Sequence, residues 1–117
     1  MKNENQPPAN AQRIYKVAQL PPLRGPATFV IHTDAGEPRH IILSKRQRQV
    51  LELLMKAPVY CASPVRISDM VFVLREDVGI CIETKMYPGD EETGAGSYGV
   101  YFLRSRVERA EQREEAA

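Results

Sequence analysis

Apolar positions along this chain change period twice, from that of a strand to that of a helix and back, and each change marks a new kind of element. Between residues 28 and 43, β-branched and aromatic side chains fall into two runs, Thr28-Phe29-Val30-Ile31-His32-Thr33 and Arg39-His40-Ile41-Ile42-Leu43. Asp34-Ala35-Gly36-Glu37-Pro38 supplies turn residues between them, which predicts a β-hairpin. Val50, Leu51 and Leu54 then follow helical spacing with Leu53 on the flank, and Ser44-Lys45-Arg46-Gln47 ahead of them has the S-x-x-Q form of a capping box. The predicted helix turns Lys45, Arg46, Arg48 and Gln49 outward near its start. A second one-sided stripe follows in Ile67, Met70, Val71, Leu74 and Val78, and Gly79 stands where a helix end favours a left-handed residue. The period then returns to two. Ile80, Ile82, Thr84 and Met86 share one face of a strand, Ser97 to Leu103 forms its partner, and Pro88 to Gly96 is a long Gly-rich connection.

The flanks carry no such pattern. Residues 1–26 hold Pro7, Pro8, Pro21, Pro22 and Pro26 among Asn, Gln and Ala, which predicts a mobile arm. Only Ile14-Tyr15-Lys16-Val17 alternates, enough for an added edge strand. Ala57 to Pro64 is irregular, and Ser63-Pro64 fits an N-cap followed by proline at the first helical position. A short middle helix or a turn belongs there. From Arg104 the chain is charged and reads as a frayed helix or a disordered tail. The expected organisation is an arm (1–26), one α+β domain (27–103) of two to three helices with an N-terminal and a C-terminal hairpin, and a tail (104–117).

Net charge is only +1, but it is unevenly placed. Residues 39–66 carry Arg39, Lys45, Arg46, Arg48, Lys56 and Arg66 against Glu52 alone, a local +5. Residues 67–92 carry Arg75 and Lys85 against Asp69, Glu76, Asp77, Glu83, Asp90, Glu91 and Glu92, a local −5. Because charges act over a Debye length of about 8–10 Å, local surplus matters more than the total. Lys45, Arg46 and Arg48 also sit at a helix start, where cations oppose the macrodipole. A phosphate-binding partner gives that placement a use, and a plain solvated helix face is the competing explanation.

Other chemistry finds little support. Cys61 and Cys81 have no further Cys or His at metal-ligand spacing and read as buried, reduced thiols. His32 and His40 flank a hairpin turn and suit surface or cross-strand roles, with no nucleophile beside them. Gly94-Ala95-Gly96 lacks the Lys-Ser/Thr end of a phosphate loop, and the acidic connection lacks calcium-loop spacing. No cofactor, metal or enzymatic activity is expected. No apolar run approaches the roughly 20 residues of a membrane span, and no secretion signal opens the chain, so a cytoplasmic protein is expected.

Four segments together resemble a known family. Lys45-Arg46-Gln47-Arg48-Gln49-Val50-Leu51-Glu52-Leu53-Leu54 resembles the first helix of winged helix-turn-helix domains common in phage and prophage proteins. Arg66 to Arg75 resembles their recognition helix. Gly79-Ile80-Cys81-Ile82-Glu83-Thr84 and Tyr98 to Leu103 resemble the two strands of their wing. About 60 residues are covered, leaving the N-terminal hairpin and both tails outside the resemblance. It implies a winged helix with an additional N-terminal hairpin, binding double-stranded DNA as a transcriptional regulator, with Ile67 to Leu74 in the major groove. Lys45, Arg46, Arg48 and Arg66 would contact phosphate, while Ser68 and Arg75 would contact bases or phosphate. Exposed strands of the N-terminal hairpin suit a homodimer. Two departures favour a different use of the fold, as a non-catalytic protein-interaction module: the wing carries Asp90, Glu91 and Glu92, and the second helix presents Phe72 and Val73.

Overall fold

The structure, a computed structural model, describes residues 7–22, 25–32, 36–62, 65–90 and 94–110. It is a mixed α+β arrangement of two helices and six strands in two three-stranded sheets. In the first sheet β1 (Ala27–His32) pairs antiparallel with β2 (Arg39–Leu43), with Phe29 opposite Ile41. Alternation along β1 buries Ala27, Phe29 and Ile31, so the hairpin presents one apolar face to the core. The other edge of β1 is taken by β6 (Arg106–Arg109), giving the order β2-β1-β6. This corrects the tail expectation for those residues. A run as short as Arg106-Val107-Glu108-Arg109, with a single apolar member, shows no detectable period, yet it completes a sheet whose edge was already in place.

Helix α1 (Lys45–Lys56) begins after Ser44, as the spacing predicts, but the Ser44 side chain makes no capping hydrogen bond. Helix α2 (Ile67–Val73) widens into a π-type turn over Leu74–Val78 and ends at Gly79, whose φ of 86° is the expected left-handed stop. The second sheet has the order β3-β5-β4, built from β3 (Val59–Tyr60), β4 (Ile82–Asp90) and β5 (Ala95–Leu103). Pairing of β4 with β5 continues to Asp90 opposite Ala95, so the hairpin arms run further than predicted and the connection shortens. Pro88 is tolerated inside β4 because that strand lies at the sheet edge. Ser63, Pro64 and the hairpin tip Glu91–Thr93 lie outside the described residues, and with them the proposed cap and two of the three wing carboxylates.

The arm is the larger correction. Ile14 and Leu20 are buried, and residues 17–19 form a single 3-10 turn instead of an edge strand. Gln12 makes one parallel bridge to Val59, through its own N–H to the Pro58 carbonyl (2.8 Å) and from the Tyr60 N–H to its carbonyl (2.9 Å). Its side-chain amide donates to the Leu53 and Ala57 carbonyls at 2.8 and 3.0 Å, supplying partners at the C-terminal end of α1. The arm thus closes one side of α1, which is why Leu53 is as buried as Leu54. Phe29, Val50, Leu51, Val59, Ile67, Val71, Leu74 and Val100 form the centre shared by both helices and both sheets. Among the described residues, no helix is long and apolar enough to cross a membrane.

Candidate nucleic-acid interface

The first turn of α1 and the lead-in to α2 meet. Arg46 Nη1 lies 3.5 Å from the Val65 carbonyl, one residue before Arg66, and Arg46 Nε donates to Gln49 Oε1 at 3.1 Å. Lys45 is exposed, and the Arg66 side chain is 80% exposed, held by an ion pair to Asp69 at 2.8 Å. Both Lys45 (φ 55°) and Arg66 (φ 61°) adopt left-handed backbone, the two non-glycine positions to do so among the described residues. Such a conformation costs an ordinary L-residue about 1 kcal/mol. Two cationic residues in that conformation at adjacent helix starts make this corner the most distinctive cationic feature of the predicted set.

Arg48 does not belong to it. Arg48 and Gln49 are 6% and 5% exposed, which corrects the expectation that they face outward. Arg48 Nε donates to Glu52 at 2.8 Å, its Nη1 donates to the Gly25 carbonyl, and Gln49 Nε2 donates to the Pro21 carbonyl at 2.6 Å. Prolines and the lack of regular structure leave the arm's carbonyls without backbone partners, and these two side chains supply them. Arg109 also approaches Glu52, at 3.7 Å. Arg48 is therefore a neutralised clasp between α1 and the arm, and no phosphate reaches it.

Ser68 lines a groove between α2 and the second sheet, roughly 370 Å³ in volume, and Arg75 does not. Arg75 Nη1 donates to the Ile82 carbonyl at 3.1 Å and lies 3.5 Å from the Thr84 hydroxyl, so it joins α2 to β4 and makes no ion pair with Asp69 or Glu76. The groove floor carries Cys61, Gly99 and Tyr101. A Cβ on Gly99 would lie 2.7 Å from the Cys61 sulfur, so glycine is what lets Cys61 cross β5. Tyr101 shares hydrogen bonds with Cys61 and Ser68. Burial, then the neighbouring Cys61, push its pKa up to about 12, and burial raises that of Cys61. At the outer end Tyr98 packs against both Tyr60 (5.8 Å between ring centroids) and Tyr87 (5.6 Å), while the Arg13 guanidinium lies 3.8 Å from the Tyr60 ring centre. Aromatic faces of this kind pack a core or accept planar groups.

The predicted cations therefore do not form one face. Lys45, Arg46 and Arg66 gather at the helix starts, Arg75 is spent on the β4 strand, Arg48 is internal, and Arg39 sits at the far end of α2, where it donates to the Val78 carbonyl at 2.7 Å. Exposed Asp69, Glu76 and Asp77 lie on the α2 segment itself. Reading the sequence missed Arg13, Arg104 and Arg106, whose flanks carry no pattern to give them a location. The histidines also separate: His40 pairs with Val30 and His32 with Arg106, so they do not face one another. Both cysteines are free, Cys61 half-buried and Cys81 exposed, the latter against expectation. Among the described residues no cluster of His, Cys, Asp or Glu has the makings of a metal site. No family model, curated protein or solved structure matches the chain.

Proposed function

We propose that this chain is a winged-helix-type protein that binds double-stranded DNA, with a transcriptional role. The observation that carries the reading is the corner where Lys45, Arg46 and Arg66 gather, brought together by the approach of Arg46 to the Val65 carbonyl. The order of elements supports it: two helices, then a long hairpin whose first strand is tied to the second helix through Arg75. In this reading Lys45, Arg46 and Arg66 contact phosphates, while Ser68, at the groove, and Arg75 contact bases or phosphate. Arg48 is excluded from the contact set. A homodimer is part of the proposal, through the outer edge of β2, where Ile42 is 70% exposed and the strand has no second neighbour among the described residues.

One observation favours a second reading, a protein-interaction surface on the same scaffold. Phe72 on α2 and Met86 on β4 are each 60% exposed, and Asp69 and Glu76 share the α2 segment with Phe72. Gel retardation with random-sequence duplex separates the two. The DNA reading expects the wild type to be retarded, Lys45→Glu/Arg66→Glu to lose retardation, and Phe72→Ala to keep it. Unretarded wild-type protein at low salt overturns the DNA reading.

A further inference from the structure

A second cationic feature lies at the opposite end of α2 from the Lys45/Arg46/Arg66 corner. A cleft of roughly 620 Å³ opens between the first sheet and the base of the β4–β5 hairpin. Arg39, Arg104 and Arg106 line it together with His32, Ser105 and Cys81, and no described carboxylate does. The three arginines reach it from β2, from the β5–β6 link and from β6, so the fold brings them together from distant parts of the chain. The 12 helical residues from Ile67 to Val78 separate the two cationic features by on the order of 18 Å of helical rise.

Each guanidinium is anchored on one side and unspent on the other. Arg39 Nη2 donates to the Val78 carbonyl, and Gly79 makes room for it, since a Cβ there would lie 3.1 Å from that nitrogen. Arg104 Nε donates to Glu83 at 2.7 Å, and Arg106 Nη2 lies 3.4 Å from Glu108. The remaining guanidinium N–H groups have no hydrogen-bond partner among the described residues. Counting Glu83 and Glu108, which pair with Arg104 and Arg106, the three arginines still leave a surplus of one positive charge. Ser105 Oγ accepts the Cys81 N–H at 2.8 Å, so its own hydroxyl proton is left to donate elsewhere. His32 Nε2 is buried without a hydrogen bond, although a Glu108 oxygen lies 3.3 Å away.

We propose that this cleft binds a phosphorylated small molecule, with Arg39, Arg104 and Arg106 holding the phosphate and the Ser105 hydroxyl donating to it. Several convergent N–H donors and one hydroxyl match the acceptor-only oxygens of a phosphate group, and arginine forks suit its geometry. The volume exceeds that of a bare phosphate and falls in the range of small-molecule sites. The ligand sits where β5 passes into β6, and so bridges the two sheets. This inference is independent of the DNA reading.

The test is an NMR titration of the full chain with inorganic phosphate, with chloride at matched ionic strength as the control. The proposal expects saturable shifts of the Cys81, Ser105 and Arg106 amides and of the arginine Nε–H groups with phosphate alone. Arg104→Gln and Arg39→Gln should each weaken the apparent affinity about tenfold or more, as loss of a charge-assisted contact implies, and Arg46→Glu should leave it unchanged. Shifts that rise linearly or appear equally with chloride overturn the proposal using wild-type protein alone, whatever the variants do. Shifts of these residues with duplex DNA but not with phosphate also overturn it.

Discussion

Tyr101 places a phenol where water is scarce, with its hydroxyl against Cys61 and Ser68, and its pKa rises to about 12 from an ordinary 10.0. The folded state therefore keeps the proton longer than the unfolded chain does. Stability from this group is complete below about pH 10 and is lost as pH climbs through the interval up to about 12. Cys61, whose pKa burial also raises, begins the same loss from near its ordinary 9.0. Urea midpoints should thus be level at neutral pH and fall above about pH 9–10. Tyr101→Phe should flatten most of that fall, which amounts to about 2–3 kcal/mol for a shift of this size. A fall of the same size in the phenylalanine variant contradicts the assignment.

Arg66 carries a strained backbone on an exposed surface. Its left-handed backbone costs free energy that its exposed ion pair to Asp69 offsets little, since surface pairs contribute at most about 1 kcal/mol. Glycine adopts this conformation freely. Arg66→Gly should leave the fold as stable as the wild type or more stable, by up to about 1 kcal/mol in thermal or urea unfolding, while weakening DNA retention. Weaker retention without lost stability is the mark of a residue kept for contact. Destabilisation with unchanged retention points the other way.

Among the elements, α1 and the arm are joined through buried polar contacts. Arg48 is mostly buried between Glu52 and the Gly25 carbonyl, and removing one partner of such a pair leaves an uncompensated charge inside. Arg48→Ala should cost about 3 kcal/mol, the lower end for a buried pair because Arg109 remains near Glu52. The loss belongs in urea unfolding, and DNA affinity of the protein that remains folded should not change. Both hairpins, both helices and the Gly79 stop were legible in the sequence, because their apolar periods run through whole elements. The docking of residues 12–20 and strand β6 were not. Each rests on contacts made with an edge or a helix end that something else had already built, and Ile14, Leu20 and Val107 are single apolar residues without a repeat. Arg48 and Gln49 misled for the same reason. Their helical positions are polar, and only the arm's unpaired carbonyls explain why they lie inside.

For the whole molecule, a net charge of +1 conceals two cationic centres at opposite ends of α2, separated by the exposed acids of that segment. Of the six residues expected to contact DNA, Lys45, Arg46 and Arg66 cluster, Ser68 lines a neighbouring groove, Arg75 ties the α2 segment to β4, and Arg48 is structural. The sequence contains the charge asymmetry, but its division into two centres depends on chain reversals that place Arg39 beside Gly79 and Arg104 and Arg106 across from it. With near-neutral total charge, the proposed duplex binding rests on the three gathered cations. Each phosphate neutralised contributes about −0.9 to the slope of log affinity against log salt, so three contacts imply a slope near −3 per chain. The most direct measurement is fluorescence anisotropy of a labelled random duplex titrated with the full chain across a series of salt concentrations. The account predicts a slope of about −3 for the wild type and no measurable binding for Lys45→Glu/Arg46→Glu/Arg66→Glu. A wild type that does not bind, or whose binding ignores salt or survives the triple reversal, contradicts it.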